Sequence, residues 1–136
     1  MSITIPAQSD ELRVIAGPTQ ADAQLLIAMQ QVDAVSGARD GWLLLFAFET
    51  PPTLLQLRKR HPVGSQEYAA IQSFLMSCET LGTFVKQGLL HEGLVHDLYW
   101  VAGAWRRAEK ICKGMRKEGG EPRLFENFEL LASRAH

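Results

Sequence analysis

The strongest constraint in this sequence is a stripe of apolar residues that recurs every three or four positions over 94–115. Leu94, Leu98, Val101, Ala102, Trp105, Ala108, Cys112 and Met115 share one side of a helix turning 100° per residue. The bases Lys110, Lys113, Arg116 and Lys117 close the pattern, where positive charge suits the carbonyl end of a helix. Gly119-Gly120 then stops it. Glu92, at the other end, marks its start after His91. The spacing predicts one long helix over 92–117, and a chain committed to such a rod must find other helices to bury it.

The neighbouring segments supply them. Ser65 caps a predicted helix over 66–87, with Tyr68, Ile71, Leu75, Cys78, Gly82 and Val85 along one stripe. Gly88 is a natural left-handed stop. Upstream, Pro18-Thr19 opens a helix that Thr19 caps, with Asp22 three residues on. Leu25, Leu26, Met29 and then Val32 or Val35 follow at helical spacing. Ser36-Gly37 ends or bends it. The run 39–49 is nearly all apolar after Trp42, so periodicity does not separate helix from strand there; its helical neighbours favour helix. Thr50 is read as the cap of a short helix over 53–60, closed by Pro62-Val63-Gly64. Pro122 is read as the start of a last helix that turns Leu124, Phe125, Phe128 and Leu131 inward. The expected fold is all-α, a bundle of five or six helices with short loops. One helical domain covers 18–136, preceded by an N-terminal arm over 1–17.

Composition agrees with a globular domain. Apolar residues make up 46% and charged residues 21% of 136, which excludes a disordered or collagenous chain. The longest apolar run, 42–48, is far short of the ~20 residues a membrane span needs. The first residues lack a basic stretch followed by an apolar one, so no export signal is expected and the cytoplasm is the default location. Cys78 and Cys112 lie 34 residues apart without the close pairing of metal ligands, and are read as buried apolar side chains.

The segment 68–132 resembles an uncharacterised bacterial helical family filed only as a domain of unknown function. The resemblance is carried by Glu79-Thr80-Leu81-Gly82-Thr83-Phe84-Val85-Lys86 running into Gln87-Gly88-Leu89-Leu90, by Leu94-Val95 and Trp105, and by Phe125-Glu126-Asn127-Phe128-Glu129-Leu130-Leu131-Ala132. Many members look membrane-tethered near the N-terminus; no run in this sequence is apolar enough for that. The resemblance implies a helical fold and no activity, cofactor or site residue.

Three readings of function compete. The first looks at the far side of the 92–117 helix, where Trp100, Gly103, Ala104, Arg107 and Ile111 form a second face. A glycine inside a helix costs about 1 kcal/mol against alanine, so something approaches Gly103 closely. Either this helix is central, with neighbours on two sides, or the face meets a protein partner or a second copy. Aromatics with arginine favour an interface; a small-molecule groove is the lesser alternative. The second reading is nucleic-acid binding through Arg106, Arg107, Lys110, Lys113 and Lys117, against which stand the interleaved Glu109 and Glu118 and a net charge of −1. The weakest reading is a metal-dependent hydrolase using Glu79, Glu92, His96 and Asp97. His91 and His96 are five apart, about 140° around a helix, and cannot share one face. Ser36, Ser65, Ser73 and Ser77 sit in no strand-to-helix elbow. Glu79, flanking a core stripe, needs a partner, for which Arg106 or Arg107 are candidates. The sequence therefore leans to a non-enzymatic protein-interaction module, self-associating or bound to another protein, with no metal and no cofactor.

Overall fold

A computed structural model describes residues 17–135. Among the described residues seven helices form and no strand: α1 Gln20–Ser36, α2 Ala38–Phe46, α3 Leu54–Arg60, α4 Gln66–Lys86, α5 Glu92–Leu98, α6 Val101–Gly119 and α7 Glu126–Ser133. The all-helical expectation holds, with seven helices in place of five or six. The proposed arm over 1–17 lies outside the described residues except for Gly17.

Local chemistry sets most of the boundaries. Thr19 and Asp22 form a reciprocal cap: the Asp22 amide donates to Thr19 Oγ1, and the Thr19 amide donates to Asp22 Oδ2 at 2.7 Å. Gly37, at φ +89°, ends α1 and begins α2, so the chain turns there without a loop. Pro51-Pro52 hold the next stretch extended. The cap of α3 is consequently Thr53 rather than Thr50, paired with Gln56 in a second reciprocal cap. Ser65 caps α4 as expected. His91 Nδ1 accepts the Leu94 amide at 3.1 Å and caps α5.

Three further expectations change, the smallest being that the last helix starts at Glu126 rather than at Pro122. The rod over 92–117 is broken: Tyr99 and Trp100 leave helical geometry, with Tyr99 fully extended, and divide it into α5 and α6. Both are aromatic and weak helix formers, and each gains a contact by leaving the helix. The Tyr99 hydroxyl accepts from Gln30 of α1, and the Trp100 indole folds over Gly103. The stripe hid this break because apolar residues stand on both sides of it. Its phase does shift, however: Leu98 is exposed, whereas Val95, off the stripe, is fully buried.

The centre of the bundle is α4, not the 92–117 segment. α2 packs along one side of it and α7 along another, with α1 more lightly held. Both main contacts are near backbone-to-backbone. A Cβ on Gly41 would collide with the Ala70 carbonyl, and a Cβ on Gly82 would collide with the carbonyl of Asn127. Around these approaches Leu45, Leu57, Ile71, Leu75, Ile111 and Phe128 are sealed from solvent, each contributing ~1.5–3 kcal/mol of apolar burial. Cys78 and Cys112 are unpaired and buried in this core, as expected.

Candidate functional site

Where α1, α2 and α4 meet the α5–α6 break, the helices leave a cleft of about 610 Å³. That is within the range of preformed ligand pockets. Trp42, Phe74, Leu81, Val101 and Leu131 give it apolar walls, and Gln30, Asp33, Arg39, Ser77 and Tyr99 supply its polar groups. The break positions the last wall: Tyr99 and Trp100 project toward the cleft only because the chain is extended there.

An aromatic row runs along the rim. Phe74 and Trp42 meet edge to face at 5.3 Å between centroids, Trp42 and Phe46 lie at 4.0 Å, and Phe46 and Trp100 at 6.2 Å. The Arg107 guanidinium stands 5.3 Å over the Phe46 ring. Trp100 ends the row, 63% exposed, with its indole pressed onto the backbone at Gly103. Two hydrogen bonds tie α1 across the cleft. Gln30 Nε2 donates to the Tyr99 hydroxyl at 3.1 Å, and the Ser77 hydroxyl donates to Asp33 Oδ1 at 2.8 Å. At the floor, burial pushes the Cys78 thiol well above its ordinary range, and burial pushes the Cys112 thiol behind it up to about 12. Both are therefore held as neutral thiols and are poor nucleophiles.

The structure scatters the residues singled out in the sequence. Of the second face, Gly103, Ala104 and Ile111 are buried by the chain itself, and Trp100 alone stays open. Arg107 is half-buried and donates to the Phe48 carbonyl. That side of α6 is filled by α3 and the loop before it, with Leu54 against Gly114. The glycine signal at 103 was sound, but what approaches it is the neighbouring indole. Of the basic set, Arg106, Lys110, Lys113 and Lys117 form an exposed stripe, with Lys113 paired to Glu109 at 2.9 Å. Arg116 turns inward to the Leu124 carbonyl and Glu129.

Glu79 finds a partner other than Arg106 or Arg107. Its Oε1 accepts the amides of Asn127 and Phe128, both at 2.9 Å, and its Oε2 accepts the Asn127 side-chain amide at 2.8 Å. A carboxylate on α4 thus caps α7, where the helix dipole favours it. Glu92 is engaged by Arg134 at 2.7 Å and lies 3.5 Å from His96, while Asp97 is exposed. Among the described residues no group of three or more His, Cys, Asp or Glu side chains is placed to hold a metal. No described helix is long and apolar enough to cross a membrane.

The family described as Domain of unknown function (DUF4760) matches residues 18–135. The chain belongs to this family. No curated protein and no solved structure matches it. The match reaches well beyond 68–132 and takes in α1 to α3. The residues that carried the resemblance now have a physical role in this DUF4760 domain. Glu79 and Gly82 on α4 meet Asn127 and Phe128 on α7, so they join these two helices. The cleft of the DUF4760 domain was missed in the sequence because Trp42, Tyr99, Gln30 and Asp33 come from three separate segments. Only Tyr99-Trp100, two adjacent aromatics inside a helical stripe, gave a local signal.

Proposed function

We propose that this DUF4760 domain is a non-enzymatic protein-interaction module that receives an apolar side chain of its partner in the aromatic cleft. The observation that carries this reading is Trp100. A large indole stands mostly in water yet is held in place by Gly103, beside a preformed cavity. Ordering it costs nothing further on binding, and aromatic residues at the edge of a pocket are frequent anchors of interfaces. The cleft's polar groups support binding over chemistry: Asp33 takes the Ser77 hydroxyl, Tyr99 takes Gln30, and the thiol at the floor is neutral. Two unpaired buried cysteines suit a reducing compartment, which supports a cytoplasmic location.

Selection of a random peptide library on the full chain tests this. Enriched peptides should share an apolar anchor residue. Their affinity should fall at least about tenfold for Trp100→Ala, with the melting temperature little changed. If no peptide is enriched, or if Trp100→Ala binds as well as the wild type, the reading fails.

A second reading rests on the exposed stripe Arg106, Lys110, Lys113 and Lys117 of α6 and assigns it to a phosphate backbone. Titration with single- and double-stranded DNA at two salt concentrations decides it. Binding should weaken steeply with salt and be lost in Arg106→Glu; salt-independent or absent binding removes it.

A further inference from the structure

α1 is held unevenly along its length. Its buried side chains are Asp22 and Leu26, both in the first half. From Ile27 to Ser36 no side chain is buried; Met29 and Asp33 are half-buried and the rest are exposed. The chain is pinned again immediately after. Gly37 turns at φ +89° against Ala70, and Ala38 is buried. The stretch 27–36 is thus fastened at both ends and only lightly in between.

Local chemistry does not make up for this. Ile27, Val32 and Val35 are β-branched, a weaker choice for a helix. The stretch contains no base, so no ion pair four residues apart braces it. Its one charge, Asp33, lies in the last turn, where the helix dipole disfavours a carboxylate. Two side-chain hydrogen bonds tie it to the bundle: Gln30 donates to the Tyr99 hydroxyl and Ser77 donates to Asp33.

Position gives the stretch a consequence. The aromatic cleft lies on one side of it. On the other is a second hollow of about 610 Å³ between α1 and α4, with Ala28, Ala69 and Met76 in its walls. Asp33 and Ser77 line both hollows, so the hydrogen bond between them is the partition.

We infer that residues 27–36 form a strap that opens as a unit between the anchors at Leu26 and Ala38, joining the two hollows into one trough. Opening breaks the two ties and takes no buried side chain of the strap out of the core. It therefore costs far less than parting α4, with its buried Ile71, Leu75 and Leu81, from its neighbours. The inference rests on the fold and not on what the cleft receives.

Hydrogen exchange of the full chain, followed by mass spectrometry, tests it. Amides of 28–36 should exchange together and at least about a hundredfold faster than those of 71–81 in α4. Ser77→Ala removes one tie and should speed the strap about two- to tenfold. Glu79→Gln weakens the contact between α4 and α7, which survives when the strap opens. It should speed exchange in 71–81 and leave 28–36 unchanged, and Glu79→Ala should do the same more strongly. The inference is overturned if 28–36 is as protected as α4, if it shows no protection at all, or if Ser77→Ala leaves its rate unchanged. It is also overturned if the Glu79 variants speed the strap and α4 alike, since the strap would then open only with the whole domain.

Discussion

At the scale of single residues, two groups do more than their size suggests. Gly41 lets α2 approach α4 until backbone nearly meets backbone, and any side chain there strikes the Ala70 carbonyl. Because the obstacle is main chain, it does not swing aside. Gly41→Ala should destabilise by ~1–3 kcal/mol or more, read as a lower denaturant midpoint. Gly119→Ala, with open space around it, should be neutral or slightly stabilising. Equal behaviour of the two variants would contradict the close approach. Glu79 is the second group. Glu79→Ala leaves the part-buried amides of Asn127 and Phe128 without their acceptor and the Asn127 side chain with Thr83 Oγ1 alone, at a cost of ~1–3 kcal/mol. Glu79→Gln keeps one oxygen acceptor and should lose less. Thermal unfolding of both checks the order.

At the scale of elements, the Tyr99-Trp100 break is the informative one. Gly103→Ala adds about 1 kcal/mol of helix propensity to α6 but puts a methyl where the indole sits, so the ring must move. Fluorine NMR of chain labelled with 5-fluorotryptophan should show one of its three resonances displaced, with little change in stability; three unmoved signals would mean the indole does not rest on that glycine. This is also where the sequence stopped being legible. Caps and stops are local chemistry, and Thr19 with Asp22, Ser65, Gly88 and Gly120 could be read directly. So could the inward row Phe125, Phe128 and Leu131. Stripes report which side of a helix is buried, and not what buries it. Hence α6 looked central when α4 is, the side of α6 around Ile111 reads equally as a face covered by a neighbour or as an interface until the fold sets α3 and the preceding loop against it, and Glu79 lacked a visible partner because its amides lie 48 and 49 residues on. The cleft shares this limit, since its walls are assembled only by the fold.

At the scale of the whole molecule, exposed ion pairs tie the surface together. Arg58 on α3 grips Glu118 on α6, holding the Glu118 carboxyl below the ordinary glutamate value near 4.5; Arg123 does the same for Glu126. A carboxyl whose folded value is depressed adds stability at pH above its unfolded value, and that stability is lost as pH falls through the folded one. Melting temperature should therefore decline below about pH 4.5. Glu118→Gln should flatten part of that decline, modestly because the pair is exposed, and less so in high salt. A parallel decline in the variant would show that the pair is silent.

The cap that Glu79 places on α7 reaches further. Eight-residue helices ordinarily fray on their own, and their first amides trade hydrogen for deuterium quickly. Here the amides of Asn127 and Phe128 are held by a side chain of the innermost helix, so releasing them means parting α7 from α4. Their exchange should be as slow as that of the most protected core amides, making the last helix a gauge of whether the entire domain is closed.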